Sequence, residues 1–362
     1  MNELLSEGLG LLESLVAIPS PSGLEAEAAH HLVAWMAGHG FDATVDACGN
    51  AIGILEGPPA GAVSWREVVL LGHIDTVNGF PPVEWREGKL YGRGAVDAKG
   101  PLAAFATAAA IVGRRGGWRI VVAGAVEEES ASSKGARWIA RQRRPDQVII
   151  GEPTKWQRIA LGYKGRLLAE VTMTRPMAHR AGPENTAAEV AVAAWNTVCE
   201  RVETLNAGRN RVWDRVQANL RSICTTDDGL FEVAQMALGY RLPCDISPDH
   251  LKSVLEGFAD GASVEYRGEE IAYRADKNTR VVRALLSAVR SAGGTPSFVL
   301  KTGTSDMNVV GPIWRCPIAV YGPGDSSLDH TPQEHISAEE WHKGVEVLAD
   351  ALQRLTDTPQ SM

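Results

Sequence analysis

Along the first 160 residues, helical and strand-like apolar patterns alternate. Leu5, Leu9, Leu12, Leu15 and Val16 recur at helical spacing until Pro19 and Pro21 interrupt them. Ser22 and Glu25 have the spacing of a capping box for a second helix through Trp35 and Met36, which Gly38 and Gly40 end. Residues 41–45 and 51–55, on either side of Gly49-Asn50, read as strands joined by a turn. The runs 68–71, 120–125 and 147–150 read as further strands, separated by helical stretches at 101–112 and 134–141. These strands are apolar throughout rather than alternating, as expected where helices cover both faces of a sheet. The predicted fold class is therefore α/β, with a helix-covered sheet.

The pattern changes near Ile159. Residues 167–173 form a strand of mixed polarity, 187–204 a long helix, 231–242 and 263–267 further strands, and 249–258 another helix. Such a set suits a smaller α+β domain inserted into the first. From Asp276 the chain returns with a helix through Val281, Leu285 and Val289, a strand at 318–321 and a helix at 338–355. The boundaries expected are 1–158, 159–272 and 273–362, the outer two segments forming one domain. No internal repeat is present.

Composition narrows the classes. The 362 residues suffice for two domains, and 36 Lys+Arg against 44 Asp+Glu leave no basic surplus for nucleic acid. Cysteines 48, 199, 224, 244 and 316 are scattered, with no Cys-x-x-Cys spacing, which argues against a disulfide framework or a thiolate zinc site. A reducing cytoplasm is the compartment expected. The start Met-Asn-Glu-Leu-Leu lacks a basic segment before an apolar one, and the apolar run 101–112 is too short for a bilayer. The expectation is a soluble protein without a membrane partner.

Candidate chemistry gathers at strand ends, where open α/β sheets place their sites. His73 and Asp75 follow the strand 68–71 and, two apart, share a face. A carboxylate beside a histidine can fix its tautomer for metal binding. Asp97 lies among Gly92, Gly94 and Gly100, just before a helix that Pro101 opens, where it could also serve only as a cap. Glu127, Glu128 and Glu129 end the strand 120–125. Three like charges there repel unless solvated or gathered by a cation.

Gly-His73-x-Asp75-Thr-Val, Gly-Arg-Gly-x-x-Asp97-x-Lys-Gly, the strand ending in glutamates, Gly151-Glu152-Pro-Thr and Asp329-His330-Thr-Pro-x-Glu334 together resemble the M20 family of zinc peptidases and deacylases. They stand in that family's order from Val69 to Ile336. Within it, residues 92–102 and the stretch Glu-Glu-Glu-x-x-x-Ser-Lys-Gly-Ala-Arg are most similar to hydrolases that free lysine or ornithine from an amino-group carrier protein.

The resemblance implies a zinc-peptidase-like catalytic domain, an inserted ferredoxin-like lid and dimerisation domain, and a homodimer. It implies two Zn2+ per subunit, with Co2+ as a substitute, bridged by Asp97. His73 and Glu152 would complete one metal, and His330 with a glutamate of the triplet the other; Asp75 would orient His73. The family usually shows Asp-Glu-Glu, which makes Glu128 the base and Glu129 the ligand; the alternative register moves these roles to Glu127 and Glu128. His179, in Met177-Ala-His-Arg-Ala-Gly-Pro-Glu-Asn185, would stabilise an oxyanion in the partner subunit's site, with Asn185 beside it at the substrate. Arg241, in Tyr-Arg-Leu-Pro, would clamp a substrate carboxylate. A non-proline cis peptide is expected after Asp97.

The activity implied is a zinc-dependent amidohydrolase releasing lysine or ornithine from an acidic carrier protein in lysine or arginine biosynthesis. Rival readings are an N-acetylornithine or N-acetyllysine deacetylase, a dipeptidase or a succinyl-diaminopimelate desuccinylase, and, in another class, a metal-dependent binding protein without turnover. Lys99, Lys155, Arg158, Lys164, Arg166 and Arg180 are candidates to line the entrance and steer an acidic carrier; scattered solvated charges are the alternative. His30, His31, His39, His250, His335 and His342 fit no ligand spacing.

Overall fold

Four strands, Trp118–Ala125, Arg66–His73, Gln147–Gly151 and Ile318–Val320, run parallel and adjacent, and nearly every residue in them is buried. Their unbroken apolar sequences follow from that position, since helices cover the sheet. Ala51–Glu56 and then Asp42–Val45 extend the sheet antiparallel beyond Trp118–Ala125, and Arg158–Tyr163 joins beyond Ile318–Val320. The structure, a computed structural model, describes residues 2–59, 65–179 and 181–357.

The helix Lys99–Val112 is buried from Lys99 to Ala109. Its alanines let the helices Ala338–Thr356 and Asn2–Ala17 pack closely on it. Trp341 Nε1 donates to the Gly100 carbonyl at 3.1 Å, which fixes the first of these contacts. The second helix spans Ala26–Gly38, but the expected capping box is absent. Glu25 itself occupies the cap position without a side-chain cap bond. Ser22 Oγ instead donates to Asp75 Oδ2 at 2.6 Å, and Glu25 Oε1 accepts from Gly23 N and Glu127 N.

By contact the chain divides into two units, Met1–Gly162 with Ala275–Leu300 and Ser305–Met362, and Tyr163–Arg274 with Lys301–Thr304. The second unit has a four-stranded antiparallel sheet in the order Gln217–Asp227, Phe231–Leu242, Gly165–Pro176, Ser263–Glu270. Strand, helix, two strands, helix and strand follow one another, a ferredoxin-like succession. In Gly165–Pro176 buried and half-buried residues alternate as far as Met173, and Ala187–Leu205 sets Ala187, Ala191, Ala194, Val198 and Val202 inward. Thr186 and Glu189 cap that helix reciprocally.

Among the elements that escape the hydropathy pattern are the strands Arg158–Tyr163, Gln217–Asp227 and Ser297–Lys301, the short strands Glu84–Arg86, Lys89–Tyr91, Tyr273–Arg274 and His335–Ser337, and the helix Asp306–Trp314. All five cysteines are free. Among the described residues, no helix is long and apolar enough to cross a membrane.

Candidate metal centre

His73 closes its strand and is buried. Its Nδ1 lies 2.9 Å from the Asp75 carbonyl oxygen, which accepts only if Nδ1 carries the proton. Nε2 then points at Asp97 Oδ1, 3.1 Å away. The Asp75 carboxylate stands 3.6 Å from Nδ1 and has other partners. Oδ1 accepts from Glu128 N and Oδ2 from Glu129 N, both at 3.0 Å, while Ser22 adds its hydroxyl. Asp75 thus holds the backbone of the acidic loop, and a main-chain oxygen shares the orienting of His73.

Asp97 divides its oxygens between two histidines. Oδ1 meets His73, and Oδ2 meets His330 Nε2 at 3.0 Å. His330 Nε2 also lies 2.9 Å from Glu129 Oε1. His73, Asp97 and Glu129 each offer a donor atom, all within 4.8 Å of one another. The Asp97–Ala98 peptide is cis. Gly94 has a φ of +86°, and a Cβ there would come within 2.9 Å of both Lys99 and Thr76, so the loop requires glycine at that position.

The acidic triplet points two ways. Glu127 turns to its own loop, where Ser132 Oγ donates at 2.6 Å and Lys134 Nζ lies at 3.3 Å. Glu128 is buried, and the charges of His73, Glu152, Asp306 and Glu129 all act on it. Glu152 follows the strand Gln147–Gly151 and is likewise buried.

Electrostatics show what this crowd lacks. Burial, with Glu152, Asp306 and Glu129 adding, pushes the Glu128 carboxyl well up. Burial and Asp97 raise Glu129 against the opposing pull of His330. Burial works against a charged His73, yet Asp75 and Asp97 still raise it well above its ordinary value. Hydrogen bonds to Asp97 and Glu129 carry His330 up to about 10. The two imidazoles thus stand nearest to a buried set of carboxylates. Two imidazole nitrogens and several carboxylate oxygens converging in this way form a donor set suited to divalent zinc-type cations. The residues fit such an ion.

His179, Asn185 and Arg241 belong to the second unit. His179 and Asn185 are exposed, and Arg241 Nη1 donates to Thr304 Oγ1. Of the basic residues expected at an entrance, Lys99 is buried and donates to the carbonyls of Leu15 and Ile18 at 2.8 and 2.7 Å. Lys164 is buried and spends its ammonium on Val212 O, Arg215 O and Gln217 Oε1. Both corrections have one cause: backbone carbonyls distant in sequence need a donor. Lys155 pairs with Asp325 at 2.8 Å, Arg166 Nε donates to Gly268 O, and Arg158 is exposed. Arg180 lies outside the described residues.

Glu334, to which the sequence reading gave no role, is fully buried beside Asp97. Its sequence signal is its place at the end of the motif Asp329-His330-Thr-Pro-x-Glu334. Asp306, also buried, had no signal at all.

Residues 69–354 match the pattern of peptidase family M20/M25/M40. A "[LysW]-lysine hydrolase" of Deinococcus radiodurans is 44% identical over 353 residues, covering 95% of this chain and 96% of that protein. A "[LysW]-lysine/[LysW]-ornithine hydrolase" of Saccharolobus solfataricus is 28% identical over 80% of this chain and 81% of its own length. Among solved structures, an M20 family metallo-carboxypeptidase from Sulfolobus solfataricus superposes with a TM-score of 0.77 at 18% identity, covering 97% of this chain and 100% of that one. A dinuclear metal-binding M20 peptidase of Bacillus subtilis gives 0.69 at 12%, covering 99% and 100%. These last two likenesses concern the fold.

Proposed function

We infer the reaction from one premise: the chain belongs to peptidase family M20/M25/M40 and is a hydrolase of amide bonds. We propose that it releases lysine or ornithine from an amino-group carrier protein. The observation that carries this reading is the end-to-end likeness to the Deinococcus radiodurans hydrolase, 44% identical with both chains covered almost entirely.

In this reading Asp97 would be shared by two zinc ions. His73 and Glu152 would help hold one, and Glu129 and His330 the other; Asp97, which presents one oxygen to each histidine, supports that sharing. Bound metal would lower the pKa of a water and polarise the scissile carbonyl. Glu128 is the base that takes the water's proton and passes it to the leaving amine, with Glu129 as ligand. The turn of Glu127 toward Ser132 and Lys134 supports this register over the alternative. Buried Glu128, its carboxyl raised, suits a proton carrier.

The second unit serves as lid and dimerisation domain of a homodimer. From it His179 stabilises the oxyanion of the partner subunit's reaction, Asn185 contacts the substrate and Arg241 clamps its carboxylate. The exposure of His179 suits a role in another subunit. The free cysteines suit a reducing cytoplasm.

A second reading, deacylation of a free N-acetylated amino acid, has one observation in its favour. Lys99 and Lys164 are buried, which removes two of the charges expected to attract an acidic carrier. Turnover of carrier-linked lysine against N-acetyl-lysine by the zinc-loaded enzyme decides between the two. Faster cleavage of the acetylated compound would refute the carrier reading.

A further inference from the structure

Glu334 is fully buried in the first unit, and its two oxygens have divided tasks. Oε1 accepts three backbone N–H groups of the Asp97 loop: Gly94 at 2.9 Å, Val96 at 3.0 Å and Asp97 itself at 3.1 Å. Oε2 receives Arg93 Nη1 at 2.5 Å. The Glu334 carbonyl adds a fourth tie to the loop, accepting from Gly92 N at 3.2 Å. Arg93, also buried, reaches onward, with Nε to Gly79 O at 3.0 Å and Nη2 to His330 O at 3.4 Å.

The segment that carries His330 therefore grips the loop that carries Asp97, and the guanidinium it neutralises grips the His330 backbone in return. A buried ion pair contributes little net stability when measured against apolar replacements of similar volume, so stability alone does not account for this one. Its geometry does. The three N–H groups flank the carboxylate that faces both histidines, and the Asp97 N–H is one of them. We infer that Glu334, through Arg93 and the Asp97 backbone, is a positioning residue that sets the spacing of Asp97 against His330 for metal binding. This rests on the reading of the centre as a metal site.

The inference concerns affinity for metal, so the test reads metal without substrate. Metal-free wild type, Glu334→Gln and Glu334→Asp are titrated with Zn2+ against a chromophoric chelator, and the melting of each metal-free protein is recorded. Glu334→Gln sets an amide N–H2 against Arg93 or against the loop N–H groups. It should weaken Zn2+ binding about 10- to 100-fold, the range for partners of metal ligands. Glu334→Asp keeps the charge but is one methylene shorter, and should fall between the two.

Glu67→Gln is the control for a purely structural role, because it opens the Arg143–Glu67 pair, at 2.8 Å, in the same unit. It should lower melting and leave Zn2+ affinity unchanged. Wild-type affinity in whichever Glu334 variants fold would overturn the inference, as would an equal loss in Glu67→Gln. A wild-type chain that binds two Zn2+ yet cleaves neither carrier-linked nor acetylated lysine would refute the proposed reaction alone.

Discussion

Asp75→Asn replaces one acceptor oxygen with a donor in a fully buried carboxylate. If the amide nitrogen takes the Oδ1 place, it faces Glu128 N–H and the His73 Nδ1 hydrogen. If it takes the Oδ2 place, it faces Glu129 N–H, while Ser22 can rotate to accept. Either way one charge-assisted bond is lost, about 1.5–3 kcal/mol, and one buried N–H is orphaned, about 1–3 kcal/mol. A loss of roughly 2.5–6 kcal/mol is large against a total stability of about 5–15 kcal/mol. At about 2–4 °C per kcal/mol, the first unit should melt at least about 5 °C lower. The acidic loop should shift as well, and a displacement near 1 Å costs on the order of 100-fold in kcat/KM. The pH dependence has a definite sign. Although burial opposes it, the nearby His73 and hydrogen bonds from Ser22 and Glu128 N hold the Asp75 pKa below its ordinary 3.8. Its contribution is complete above that value and fades as pH falls through the lower folded one. Wild type and variant melting should therefore converge in acid. Thermal melting from pH 7 downward, with turnover measured alongside, checks this. Melting of the variant within about 2 °C of wild type at pH 7 would refute the reasoning.

Glu128→Gln should keep its zinc and lose turnover by about 10²–10⁴-fold, whereas Glu129→Gln should lose metal; metal content by atomic absorption with kcat shows it. Glu127→Gln should change neither, and a loss of turnover in it together with a loss of zinc in Glu128→Gln would restore the alternative register. His179→Ala should depress kcat at unchanged metal content, and mixing it with Glu128→Gln should restore activity if the residue works across subunits; hybrids without activity would sink that role. Burial lowers Lys99 to about 7 from the ordinary 10.5, so between those values the unfolded chain binds the extra proton. Wild-type stability should rise with pH across that window, and Lys99→Met, followed by melting at each pH, should flatten the rise.

Sequence pattern revealed those parts of the fold whose residues answer to their neighbours in the chain. Phe231–Leu242 and Ala187–Leu205 alternate or repeat as their own periods demand, and both were legible. Gln217–Asp227 was not, because all of it is exposed or half-buried and its place is held by ladder bonds to Phe231–Leu242. Ser22 and Glu25 had capping-box spacing, but Asp75 and Glu127, far along the chain, claimed their side chains. Lys99 and Lys164 looked like surface charges for the same reason: the carbonyls that hold them are not their sequence neighbours. The histidines and carboxylates of the candidate centre were legible as motifs, whereas the bond from Asp75 to the acidic loop exists only in space.

The clasp between Arg93 and Glu334 joins residues 241 apart in the chain. Closing so long a loop costs about 5 kcal/mol of chain entropy beyond the constant, far more than one ion pair returns. The contact must therefore form late, after the sheet has brought both ends together. A chain emerging from the ribosome presents His73, Asp97, Glu129 and Glu152 long before His330 and Glu334. Until that last stretch is made, Arg93 has no counter-ion and the Asp97 loop has no acceptor for its three N–H groups. If these residues hold metal as proposed, an unfinished chain would offer a passing cation only scattered ligands, and secure capture would wait until the C-terminal part of this unit has been synthesised.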